Sequence, residues 1–215
     1  MIPNGCDLEI FKPSSRDNLS LDGISSTDKV AVFTGAHGIA NGLDSVLDAA
    51  SALKKMGRSD IVLAFIGDGK MKGHLINRTK EEGLDNCRFY DPIPKKELNK
   101  IVASADVGLM VLTNVPAFYY GTSPNKFFDY ISSGLPVLNN YPGWLADMIQ
   151  EHCLGVVVPT DDPQAFAKGL ISLLDNNDLK VQCGKNARTF AEEHFSRNLL
   201  ADKFVAFLEE VSSLK

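Results

Sequence analysis

The 215-residue chain is predicted to fold as an α/β protein, a Rossmann-like parallel sheet with helices on both faces and a helical C-terminal tail. Three features predict it. The continuous apolar runs VAVFTG (residues 30–35) and IVLAFIG (61–67), rich in β-branched residues, read as strands buried on both faces. Between them Leu43, Val46, Leu47, Ala50, Leu53 and Met56 recur at helical spacing. After Pro163 the apolar residues keep that helical period to the end of the chain.

The elements follow in order. Residues 1–13 lead into the domain, and the polar, Ser/Asp-rich stretch SSRDNLSLDGISSTD (14–28) reads as a linker. The strand at 30–35 and the helix over 43–56 are followed by the strand at 61–67, a helix over 70–82, a short strand at 88–90 and a helix over 95–104. Further strands fall at 107–112, 136–139 and 155–158, separated by helices over 124–133 and 144–151. Gly134 supplies a left-handed stop just before Pro136. The tail gives helices over 166–174, 179–194 and 199–211, so the Rossmann-like unit covers 29–195 and an amphipathic helix occupies 196–215.

Composition narrows the function classes. A formal net charge of −5 and a pI near 5.4 disfavour nucleic acid, whose binding rests on clustered Lys and Arg, and equally a polybasic membrane anchor. No apolar run reaches membrane-spanning length. Cys6, Cys87, Cys153 and Cys183 are scattered, without CxxC pairs or neighbouring ligand histidines, and read as reduced packing residues of a cytoplasmic protein. His37, His74, His152 and His194 form no metal-ligand motif, so no metal is expected.

In such sheets ligands bind at the carboxyl ends of the strands, near the point where strand order reverses. GDGKMKG after the second strand is the nearest thing to a dinucleotide fingerprint, but a plain strand-end turn requiring positive φ is favoured. GAHGIANG (35–42) either cradles a phosphate on its amides, with His37 bonding the anion, or is a long turn with an exposed histidine. TSPNKFFDYISSG is the most informative stretch. Thr122 or Ser123 can cap a helix, Pro124 suits its first position, and Lys126 strengthens the anion site made by the first-turn amides. Asp129, one turn beyond Asn125 and Lys126, suits a ribose diol, although an intrahelical or capping role for this carboxylate fits the spacing as well. Trp144 edges a sugar pocket or, more simply, starts a helix from the core.

The ordered set IPNGCDLEIFKP, VFTGAHGIANGLDSVLDAA, FIGDGKMKGHL, ASADVGLMVL, SPNKFFDYISSGLPVL and GVVVPTDDPQAFAKGL resembles the C-terminal, donor-binding half of retaining GT-B glycosyltransferases over nearly the whole chain. The likeness is to the family-4 type of bacterial O-antigen and capsule synthesis, including transferases of N-acetylated amino sugars. It implies transfer from a nucleotide-sugar donor, by resemblance UDP-linked, to a glycan or lipid-linked acceptor, with no cofactor. It implies Asp129 on the ribose, Ile93 on the nucleobase edge, and Gly35, Gly38, Gly67, Thr122, Ser123, Pro124, Asn125 and Lys126 about the diphosphate and sugar; beyond the resemblance, Lys126 is expected to supply part of the catalytic positive charge that the first loop lacks and His37 to polarise a phosphate oxygen. The sequence departs from the family in having Gly121 where a second glutamate is usual, and Ala36 and Asn41 where an Arg and a Lys are usual in the first loop. The resemblance further implies an absent N-terminal acceptor half, through which peripheral contact with the inner membrane would run. It also implies an isolated chain that binds nucleotide weakly, transfers no sugar and self-associates through its last helix. The alternatives are a noncatalytic nucleotide-sugar binding module and a nucleotide-sugar epimerase-like domain.

Overall fold

The computed structural model describes residues 3–15 and 19–213. The first two residues of the lead-in segment, residues 16–18 of the expected linker and residues 214–215 of the last helix lie outside the described residues. Six parallel strands form one sheet in the order β3-β2-β1-β4-β5-β6. They are β1 (Lys29–Thr34), β2 (Ile61–Ile66), β3 (Cys87–Tyr90), β4 (Val107–Met110), β5 (Val137–Asn139) and β6 (Gly155–Val157). The order reverses between β1 and β4.

The helices are α1 (Asp44–Lys55), α2 (Lys72–Glu81), α3 (Lys95–Ser104), α4 (Pro116–Tyr119), α5 (Asn125–Ser132), α6 (Trp144–Glu151), α7 (Pro163–Asp175), α8 (Asn177–His194) and α9 (Arg197–Ser213). Alternation along the strands assigns the two layers. Ala31, Phe33, Leu63 and Phe65 pack with α1 and α7 on one face, whereas Val30, Val32, Val62 and Ile66 pack with α5, α6 and α8 on the other. Burial on both faces explains why β1 and β2 carry no polar period.

Local chemistry sets the element ends. Asp162 accepts from Ala165 N at 2.8 Å and Asn176 from Leu179 N at 3.0 Å, capping α7 and α8. Gly134 has φ 66°, the left-handed stop that ends α5. Beyond β4, the Leu112 amide donates to Asn140 Oδ1 at 3.0 Å rather than to a neighbouring strand, so the ladder ends two residues before the apolar run does. The four-residue α4 and a 3-10 turn at Ile39–Asn41 are elements that apolar periodicity does not reveal.

The residues before β1 pack against the body of the domain. Phe11 and Cys6 are buried, and Cys6 bridges Ser196 in parallel register. Leu19, Leu21 and Ile24 lie against the α5 layer, while Tyr90 Oη donates to Asp22 O at 2.7 Å. At the other end, α9 buries only Leu200. Phe204, Val205, Phe207, Leu208 and Val211 each keep between 44% and 53% of their surface exposed.

Two strand-end loops meet backbone to backbone. Gly67 has φ 144°, and a Cβ there would lie 2.0 Å from Gly35 O. Gly67→Ala is therefore expected to combine overpacking with backbone strain and to destabilise the fold by about 2 kcal/mol or more. Thermal unfolding should register this as a Tm lower by roughly 4–8 °C; an unchanged Tm would show that the loops are not in this contact.

Candidate functional site

At the carboxyl edge of the sheet, β1 and β4 pair only through Ala31 with Val107 and Val32 with Gly108, then part. A crevice of about 260 Å³ opens beyond the parting, lined by Asn41, Met110, Leu112, Thr122, Ser123 and Lys126 among others. The N-terminus of α5 points into this region. Pro124 is its N-cap, not its first helical residue, and no side chain caps it. The expected cap by Thr122 or Ser123 is corrected accordingly. Ser123 Oγ instead accepts from Asn4 N at 3.0 Å, and Asn4 Nδ2 donates to Ser123 O at 2.6 Å. The Thr122 and Tyr141 hydroxyls are buried and face one another without a bond of normal geometry. With the side chains engaged elsewhere, the first amides of α5 keep their partial positive charge for a ligand.

Lys126 supplies the full charge. Its side chain runs over Gly35, whose missing Cβ would lie 3.4 Å from Lys126 Cε. Nζ donates to Asn41 Oδ1 at 3.0 Å and sits 4.1 Å from the centroid of the Phe33 ring. Among the described residues no carboxylate lies within ion-pair distance of it. Burial without an anionic partner pulls its pKa down from 10.5 to about 7. Asn41 also donates to Ala36 O at 2.7 Å, so the residue that replaces the family's usual lysine holds both the first loop and Lys126.

Asp129 faces the opposite flank of α5, towards the N-terminus of α3. Burial pushes its pKa up to about 6, while Lys95 and Arg197 pull it down and Asp7 pushes it up. Lys95 and Arg197 are themselves paired with Asp7 at 3.3 and 3.2 Å, leaving the Asp129 carboxylate with no hydrogen bond from any described residue. Lys95 directly follows the DPIP loop and acts on Asp129, so the loop after β3 and the Asp129 flank of α5 are neighbours. From β3 to β4 the sheet crosses three inter-strand spacings, roughly 14 Å. Ile93 is half-buried against the α5 layer, and Asn125 is exposed.

Three expected site residues, His37, Gly67 and Gly38, are elsewhere. The ring of His37 is completely buried among Phe33, Phe65 and Phe89, with both nitrogens unpartnered, so as placed it cannot polarise a phosphate oxygen. Burial and Lys72 lower its pKa to about 4, which keeps it neutral. It is the backbone of His37 that is engaged, donating to Asp68 O and accepting from Met71 N at 2.8 and 2.9 Å. Gly67 likewise serves packing: its amide donates to Tyr90 O and its carbonyl accepts from Lys72 Nζ. Gly69, with φ 156°, meets the His37 backbone, which explains the GDG pattern without a dinucleotide. Gly38 starts the 3-10 turn and borders a separate recess of about 340 Å³. Trp144 donates from Nε1 to Thr122 O at 3.0 Å, fixing the loop before α5. Among the described residues no three His, Cys, Asp or Glu side chains gather as metal ligands, and no helix is long and apolar enough to cross a membrane.

Residues 17–190 match the family described as Glycosyl transferases group 1. The chain belongs to that family. This group 1 glycosyltransferase domain is 26% identical over 97% of its length to a probable glycosyltransferase WbjE of Pseudomonas aeruginosa, and 26% identical over 89% to a D-inositol 3-phosphate glycosyltransferase of Corynebacterium glutamicum. It spans about half of these curated relatives, 51% and 48% of their lengths. Its fold is that of part of a sucrose-phosphate synthase from Thermosynechococcus elongatus, with a TM-score of 0.82 at 18% identity over 100% of this chain and 53% of that one. It is also that of part of Anabaena HepE in complex with UDP and glucose, with a TM-score of 0.80 at 15% identity over 96% and 55%. In this group 1 domain burial disfavours the charged forms of both Lys126 and Asp129, so each carries a pH-dependent cost to stability.

The sign of that cost differs between the two. Asp129 binds its proton more tightly folded than unfolded, so its stabilising contribution is present below about pH 4 and lost as pH rises through about 6. Lys126 releases its proton more easily when folded, so stability rises with pH between about 7 and 10.5. Asp129→Asn is expected to raise Tm by a few degrees at pH 7.5 and to leave it unchanged at pH 4, as calorimetry at the two pH values would show. A Tm that falls at pH 7.5 would mean that the carboxylate holds the fold together.

Proposed function

We propose that this domain is the donor-binding half of a retaining, family-4-type glycosyltransferase that transfers a sugar from a nucleotide diphosphate, UDP by likeness, to a glycan or lipid-linked acceptor in surface polysaccharide synthesis. The observation that carries this reading is Lys126: an ammonium that no carboxylate among the described residues pairs with, beside the uncapped N-terminus of α5, in a crevice at the strand-order reversal. Support also comes from the family match and from a relative of 23% identity, an O-antigen chain mannosyltransferase C of Escherichia coli. An N-acetylated amino sugar as the transferred group rests on the sequence resemblance.

In this reading the diphosphate lies across Gly35 and the first amides of α5, and Lys126 turns from Asn41 to its oxygens. The ribose diol donates to Asp129, the carboxylate that no described residue occupies, and the nucleobase edge meets the backbone of Ile93. As the bond from the sugar's anomeric carbon to the diphosphate breaks and that carbon bonds the acceptor hydroxyl oxygen, whose proton passes to the departing diphosphate, charge grows on that diphosphate. Lys126, once turned from Asn41, and the helix amides would stabilise it. No cofactor or metal is called for, since these groups supply the positive charge. The acceptor would be held by an N-terminal half, and the work of this domain is donor binding and leaving-group stabilisation.

Removing a charge-assisted contact costs about 1.5–3 kcal/mol, so Lys126→Ala should weaken binding of a nucleotide-sugar roughly ten- to a hundredfold. Titration calorimetry with UDP-, GDP- and ADP-sugars would measure it. Affinity of the unaltered chain should fall as pH rises above about 7, when Lys126 loses its proton, and also as it drops below about 6, when Asp129 gains one. Equal affinity in the alanine variant, with a flat pH profile, would overturn the reading.

A further inference from the structure

We propose that Tyr130 is a positioning residue for the donor site, a phenol strut that holds β1 and β4 apart at the switch point and thereby sets where Lys126 stands. The inference rests on the donor-site reading above and adds a residue that neither the family match nor the expected site set includes.

In β1 the amides of Lys29 and Gly35 donate towards β2, so the alternating amides, Thr34 among them, face β4. The ladder with β4 nevertheless ends at Val32 and Gly108. The Thr34 amide donates to the Tyr130 hydroxyl at 2.9 Å, in place of a β4 carbonyl. That hydroxyl lies 3.2 Å from Thr34 Oγ1 and 3.3 Å from Val32 O, so one phenol satisfies the strand end where the neighbouring strand leaves it. The ring is completely buried and passes over Gly108, where a Cβ would sit 2.5 Å from it. Glycine in the middle of an otherwise apolar strand thus makes room for the strut.

Tyr130 follows Lys126 by one helical turn, so both side chains leave the same flank of α5 for the tip of β1. Tyr130 binds below the tip at Thr34, and Lys126 crosses above it at Gly35. A fixed distance between helix and strand therefore fixes the ammonium over Phe33 and beside Asn41. Of the charged and titratable side chains, Lys126 acts on His37 of the first loop, as do Lys72 from α2 and Asp68 from the loop after β2; Asp129 acts on Tyr130 from the same helix.

The test is Tyr130→Phe, which keeps the ring and removes the hydroxyl. Titration of the Lys126 side chain by NMR in the unliganded chain reads the strut without any ligand. The proposal expects the midpoint to move up from about 7 towards that of an ordinary lysine as the crevice loosens. UDP affinity should fall at least tenfold while uridine affinity, which depends on Asp129 and Ile93, stays within twofold. An unmoved Lys126 midpoint together with unchanged UDP affinity would overturn the strut. A wild-type chain that binds no UDP, yet shows the shifted midpoint in Tyr130→Phe, would count against the donor-site reading and leave the strut standing. Should the variant not fold, hydrogen exchange in the wild type decides: a Thr34 amide protected like its ladder neighbours supports the strut, and one exchanging like an exposed loop amide overturns it.

Discussion

The parting of β1 from β4 just past the Val32–Gly108 pair is the constraint on which the rest of the site depends. A parallel sheet whose order reverses sends its connections away in opposite directions from the two central strands, and the gap between them has to be filled or used. Here the gap is propped by a tyrosine, roofed by a short uncapped helix and crossed by one lysine. The tyrosine needs a glycine beneath it, since a Cβ at Gly108 would lie 2.5 Å from the Tyr130 ring, and the lysine stem crosses Gly35, whose φ of 126° favours glycine. The glycines at 67 and 69 complete the arrangement by letting the loop after β2 lie directly against the loop after β1.

Electrostatics then separate the two flanks of α5. On one side a half-buried ammonium has a ring and an amide oxygen as its neighbours; on the other, burial raises the pKa of a carboxylate although Lys95 and Arg197, both paired with Asp7, pull it down. Neither charge is neutralised by the other. A nucleotide diphosphate offers the complement of both, anionic oxygens for the lysine and two hydroxyl donors for the aspartate. The segment that leads into the domain takes part as well, since Asn4 holds Ser123 and Asp7 holds Lys95 and Arg197.

Much of this was legible in the residues. Apolar runs placed the strands because every residue of β1 except its first, and every residue of β2, is buried, and Gly134 marked the end of α5 through its left-handed backbone. Lys126 and Asp129 stood out as polar groups on the first turns of an otherwise apolar helix. What failed was direction. A glycine-rich loop announces a tight path for the backbone but not which way its side chain turns, and the ring of His37 turned inward to three phenylalanines. Capping by Thr122 or Ser123 was a sound local expectation that tertiary contacts with Asn4 and Trp144 overrode. The reach of Lys126 across to Asn41, 85 residues earlier, and the bond from Thr34 to Tyr130, 96 residues apart, carry no local signal at all.

In the proposed function, the tip of α5 and the ends of β1 and β3 together grip a nucleoside diphosphate. Amide chemical-shift mapping during titration with UDP tests it most directly. The account predicts shifts concentrated at Gly35, Ile93, Asn125 and Lys126, saturating together. Shifts confined to the opposite edge of the sheet, in the groove of about 780 Å³ bordered by Lys180, Lys185 and Arg188, or no shifts at all, would contradict it.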